Sequence, residues 1–188
     1  MYRIIFYIYL IFFSFIFSFQ KESNTESWYF YFGSGPSTFS EALDTIPGLA
    51  NSRAYDMGFY WHKNSQTIIG LGLTGKSESI KNKNLELEKE YDVVLGPSLN
   101  LVHFKDNFGK GIFYRLGVGF SQAQFSIQEF GEKIFEGPED RGIGFILGSG
   151  YSLEYKQKSR YMLGLYLGAS MFEEKIETYV NLVFNGLW

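Results

Sequence analysis

Cysteine is absent from this chain of 188 residues. That excludes disulfides, thiolate metal sites, cysteine nucleophiles and a lipid-modified N-terminal cysteine. Histidine is scarce: only His62 and His103 occur, and no ligand spacing suggests a metal. The formal net charge is −3, with no basic stripe, which argues against a nucleic-acid partner. No cofactor motif survives inspection either. Gly70-Leu71-Gly72-Leu73-Thr74-Gly75 fits G-x-G-x-x-G, but a dinucleotide fingerprint must follow a strand and open a helix. This one lies inside a strand pattern and runs into Lys76-Ser77-Glu78, so it reads as lumen-facing glycine.

What the chain has is aromatic residues (20%), abundant glycine (21 residues) and an apolar start. Met1-Tyr2-Arg3 precedes an uncharged run, Ile4 to Phe19, and Lys21-Glu22-Ser23-Asn24 is abruptly polar. One positive charge, an apolar run and a polar boundary make residues 1–20 a signal peptide. Residues 21–188 are then the mature domain. The alternative is an uncleaved anchor helix, for which the run is slightly short.

The mature chain repeats one pattern about eight times. In Tyr161 to Met171, Tyr161, Leu163, Leu165, Leu167, Ala169 and Met171 share one parity. Met162, Gly164, Tyr166, Gly168 and Ser170 share the other. Side chains alternate faces along a strand, so one face is greasy and the other mostly small or polar. The same reading gives strands at 28–35, 53–62, 67–75, 91–104, from 112, at 142–155, 161–171 and 175–188. In the fourth, Val93, Leu95, Leu99 and Leu101 are expected to point outward.

Connections after strands two, four and six are short; those after one, three and five are long and polar. Strands of about ten residues suit a membrane barrel, with short turns in the periplasm and long loops outside. The connection near Glu173-Glu174-Lys175 is tight and is expected to project above the membrane. Trp28, Trp61, Phe104, Tyr155, Tyr161 and Trp188 fall at the periplasmic strand ends, where an aromatic girdle is favoured. The competing fold is a soluble lipocalin-like barrel. It would need large apolar residues inside and polar ones outside, the reverse of this alternation. The expected fold is therefore an all-β, eight-stranded, antiparallel up-and-down transmembrane barrel.

Over Trp28 to Trp188 the chain resembles the small outer-membrane barrel families: the OmpA transmembrane domain, the OmpX and Ail group, and the OmpW group. Strand count, loop asymmetry and the terminal aromatic Trp188 carry the likeness. It implies a bacterial outer-membrane location, contact with outer-membrane lipid, and recognition of the last strand by the barrel assembly machinery. That signal usually has another aromatic two residues before the end, where this chain has Gly186.

Inward parity gathers Asp56, Arg115, Glu154 and Glu177 with Tyr60, Tyr166, Asn100 and Asn181. Charges in a narrow lumen must be paired or wetted. The resemblance implies a structural plug of ion pairs; a proton or ion path is the alternative. Pro97 sits in mid-strand and removes a ladder hydrogen bond. It marks a bulge or, alternatively, a lateral gap for small apolar molecules, as in the OmpW-like barrels. A lipid-modifying enzyme lacks support: His103 is followed by Phe104-Lys105, so the His-x-Ser arrangement of barrel deacylases is missing. The polar connections 36–52, 76–90 and 128–141 are either solvated surface or sites for a host or environmental ligand. The expected role is non-enzymatic, structural or interacting through these loops.

Overall fold

The computed structural model describes residues 28–38, 49–82, 87–130, 132–137, 139–156 and 159–187; the expected leader and Trp188 lie outside them. Among the described residues nine strands follow in order: β1 (Trp28–Pro36), β2 (Leu49–His62), β3 (Thr67–Asn82), β4 (Leu87–Phe104), β5 (Gly111–Glu129), β6 (Glu132–Glu136), β7 (Asp140–Lys156), β8 (Ser159–Met171) and β9 (Ile176–Leu187). Each barrel strand pairs antiparallel with its neighbour. β9 returns to β1, with Phe32 opposite Gly186, and β4 pairs with β5. Eight strands therefore close into a barrel, and the short β6 folds back on the far end of β5.

The outer wall is apolar. Phe30, Phe59, Leu116, Leu147, Leu165 and Phe184 are exposed, each on the outward parity of its strand. Such a surface would aggregate in water and is solvated by lipid tails. This excludes the soluble barrel. One end carries the tight turns, including 63–66 and 105–110; Gly109 and Gly111 supply the positive φ values there (75° and 77°). The other carries the long connections.

Three strands run well past the apolar belt. β3 continues from Leu73 to Asn82, roughly 30 Å of strand at about 3.4 Å per residue. Residues 76–90, expected to be a loop, are therefore mostly β3 and β4, with Lys76 opposite Val93 and Asn82 opposite Leu87. The 128–141 connection likewise contains the end of β5, all of β6 and the start of β7. The 36–52 connection is partly strand, since β2 begins at Leu49; its residues 39–48 lie outside the described set.

Val93 and Leu95 do not point outward. Both are fully buried in the lumen. A bulge at Gly96-Pro97 inserts one extra residue in β4 against both neighbours: Leu95 faces Thr74 and Ser121, whereas Ser98 faces Gly72 and Gly119. One extra residue flips the faces, so odd positions point inward before the bulge and even positions after it.

Candidate functional site

The lumen is filled in three layers. At mid-height Arg115 on β5 meets Asp56 on β2 in a buried ion pair. Its Nη2 lies 3.1 Å from Asp56 Oδ1 and also donates to Thr74 Oγ1 (3.0 Å) and Asn100 Oδ1 (2.8 Å). Nε donates to Asn100 Oδ1 as well (3.1 Å), and Nη1 donates to the Tyr31 hydroxyl (2.8 Å). That hydroxyl and Thr74 both donate to Asp56. The guanidinium lies over the Tyr166 ring, 5.0 Å from its centroid. A buried guanidinium with five donors needs this many acceptors. Strand register supplies them: Asp56 is opposite Thr74, and Asn100 is opposite Gly117, two residues from Arg115.

Toward the turns the lumen is hydrophobic. Ile68, Phe104, Phe113, Met162, Val183 and Leu187 are buried there. Phe104, expected in the aromatic girdle, belongs to this plug. It shares parity with Ser98, Asn100 and Val102, so it points inward and packs 5.9 Å from Phe113. On the turn-end outer wall Trp28 is exposed, Trp61 lies buried beside it with the rings 5.4 Å apart, and Tyr161 stacks on Phe184 at 5.7 Å. The side chains of Tyr155 and Trp188 lie outside the described set.

Toward the long connections a second polar layer appears. Lys76 and Glu78 form an ion pair with both side chains fully buried. Sequence reasoning placed them in a loop; the parity Thr74, Lys76, Glu78, Ile80 was the signal for an inward face. Above them Tyr91 donates to Glu177 (3.0 Å), while Lys175 reaches Asp140 (2.9 Å) and the Tyr91 hydroxyl (3.3 Å). Burial and the adjoining Glu177 carboxylate hold the Tyr91 phenol above its ordinary range.

The expected lumen set thus divides. Asp56 and Arg115 meet directly, with Asn100 bonded to Arg115 and Tyr166 under its guanidinium. Tyr60 packs edge-on against Tyr31, 5.5 Å away, with its buried hydroxyl unsatisfied. Glu177 belongs to the loop-end layer, and Asn181 accepts from Ser37 (2.6 Å). Glu154 is not in the lumen network. Arg115 sits opposite Gly148, roughly 20 Å along β7 from Glu154 at about 3.4 Å per residue. Glu154 is half-exposed and pairs across the turn with Arg160 at 3.0 Å.

His62 and His103 both make contacts at the turn end. His62 contacts the Tyr29 hydroxyl (3.1 Å) and packs against Phe108 (4.3 Å); burial lowers its pKa. His103 bonds Thr67 Oγ1 (3.0 Å). Among the described residues no three His, Asp or Glu side chains gather as a metal site. Of the G-x-G-x-x-G glycines, Gly70 lies against the inward Tyr60 ring, whereas Gly75 faces outward beneath Tyr55.

Neither a protein-family model nor a curated protein sequence matches the chain. Solved structures do. Neisserial surface protein A is similar over 85% of this chain and 95% of its own, with 12% identity and a TM-score of 0.51. Ail, the attachment invasion locus protein of Yersinia pestis, solved with the heparin analogue sucrose octasulfate, is similar over 86% and 97%, with 8% identity and a TM-score of 0.51. At these identities the likeness shows a shared fold, that of small outer-membrane barrels.

Proposed function

We propose that this protein is a closed, non-enzymatic barrel of the bacterial outer membrane that acts through the surface it raises above the lipid. The observation that carries this reading is the filled lumen. Phe104 and Phe113 are fully buried at one level and Arg115 is 2% exposed at the next. Eight strands enclose about the volume their side chains occupy. A hydrated path would need the Arg115–Asp56 pair and the apolar plug to open together.

The projecting β3, β4 and β5 then offer the interacting surface, with Trp28 and Tyr161 anchoring the opposite rim at the lipid interface. β9 is the strand the assembly machinery would engage. The raised surface is rich in carboxylates, among them Glu129, Glu132, Glu136, Glu139, Glu173 and Glu174. It favours a neutral or cationic partner over a polyanion of the heparin type. The conduit reading at Pro97 is weaker, because β4 stays paired to β3 and β5 on both sides of the bulge.

Reconstitution in planar bilayers tests this. No stepwise conductance is expected from the wild-type barrel. Shortening the β3–β4 hairpin should abolish cell-surface or partner binding while the barrel stays folded. Stable single-channel conductance in the wild type would defeat the proposal.

A further inference from the structure

A groove of about 410 Å³ is cut into the outer wall, and nothing in the lumen accounts for it. Tyr55, Ser77, Asp92, Gln122, Gln124 and Glu139 line it. Its floor is shallow because β3 presents Gly75 and Ser77 outward. The Tyr55 hydroxyl lies over Gly75, where a Cβ would stand 2.5 Å from it. A second groove, lined by Asn51 and Arg53, adjoins the first and shares Tyr55 and Ser77 with it.

The bulge at Gly96-Pro97 creates this groove. Without the extra residue, Asp92 and Val94 would face the lumen. With it, Asp92 comes out beside Ser77 and Gln124, its partners in the two ladders. Among the described residues Asp92, Gln122 and Ser77 make no side-chain hydrogen bond or ion pair, so their bonding capacity is open to a ligand.

Height selects the ligand. The last exposed apolar residues below are Met57 on β2 and Phe120 on β5. Tyr55 and Gln122 lie two residues beyond them, about 7 Å at roughly 3.4 Å per residue. The headgroup layer occupies about 5–8 Å beyond the hydrocarbon on each side. Its chemistry selects further. Two carboxylates, two amides, a hydroxyl and a phenol ring match the hydroxyls and C–H face of a sugar. Asp92 disfavours a phosphate, whereas Glu139 is already paired with Arg141 (2.8 Å). The volume falls in the range of about 300–1,000 Å³ usual for small-ligand sites.

We infer that the Tyr55–Ser77–Asp92–Gln122 groove binds the uncharged sugar headgroup of a membrane glycolipid. This rests on the outer-membrane reading and names a ligand for the surface it invokes.

The test uses the intact barrel in phosphatidylcholine nanodiscs with and without digalactosyl-diacylglycerol. Amide NMR shifts of Ser77, Asp92 and Gln122 report binding. Shifts that saturate with the glycolipid are expected. They should weaken at least tenfold in apparent affinity in Asp92→Ala/Gln122→Ala and stay absent with phosphatidylglycerol. Free digalactose supplies the soluble arm. Binding of free sugar without any response to the glycolipid would overturn the assignment, as would glycolipid shifts unchanged in the double variant. Mobility on unboiled SDS gels shows separately whether each variant is a folded barrel, so failure of the groove is distinguishable from failure of the membrane reading.

Discussion

Leu95 and Ser98 both point into the lumen although they stand three positions apart, an odd offset that places two strand residues on opposite faces. The extra residue at Gly96-Pro97 reconciles them. Everything N-terminal in β4 follows from that reset: Val93 and Tyr91 turn inward, and Asp92 turns out to the groove.

Deleting Gly96 should therefore be far worse than replacing Pro97. The deletion either breaks both ladders or sends Val93 and Leu95 outward and Asp92 into the lumen. We expect loss of the heat-modifiable band on SDS gels. Pro97→Ala keeps the residue count and should retain that band, with a stability change under about 1 kcal/mol. Equal behaviour of the two variants would mean that the bulge is not what sets the register.

The same bulge shows how far the sequence could be read. Strand number, closure, the short-turn end and the apolar belt follow from period-two alternation that seldom breaks. The alternation is broken at Pro97, and a single parity carried through it misplaced Val93 and Leu95. Lys76 and Glu78 were hidden for another reason. Charged residues signal solvent, yet the narrow lumen pairs them with each other. Phe104 was ambiguous because the turn-end strand segments are apolar on both faces, one for lipid and one for the plug. Glu154 obeyed the parity but lay too far along β7 to reach Arg115.

Removing one partner of the mid-height pair leaves a charge buried without compensation. Asp56→Ala should destabilise the barrel by about 3–5 kcal/mol. The double variant Asp56→Leu/Arg115→Met removes both charges and should recover most of that loss. Urea unfolding in lipid vesicles measures both. A double variant as unstable as Asp56→Ala would show that Arg115 acts mainly through Asn100, Thr74 and Tyr31.

His62 gives a pH dependence with a defined sign. It sits at the end of β2, beyond the exposed apolar belt, and burial, with the nearby Arg160 charge, outweighs its Asn64 hydrogen bond and lowers its pKa. The unfolded chain therefore binds a proton more readily than the folded one near the ordinary histidine value of about 6.5. Stability is present above that value and declines as pH falls toward the folded pKa. Thermal unfolding from pH 7.5 to 5 should show this decline, and His62→Asn should flatten it. An unchanged slope in the variant would assign the effect to other groups.

Gly168 faces the lumen, and a Cβ there would lie 2.1 Å from the Tyr179 ring. Tyr179 is opposite Gly168 across the β8–β9 ladder and packs with Phe172 and Val93 in an apolar cluster beside the Lys76–Glu78 pair, its ring centroid 5.8 Å from Lys76 Nζ. The glycine thus makes room for an aromatic ring lying along the wall, which is how a small barrel accommodates large inward residues. Gly168→Ala should cost about 1–3 kcal/mol by overpacking. Tyr179→Ser alone should cost a similar amount, by emptying part of the cluster. In the double variant the costs should fall well short of additive, because the added methyl occupies space the ring has left. Additive losses in urea unfolding would mean that the barrel wall, rather than the Tyr179 ring, resists the substitution.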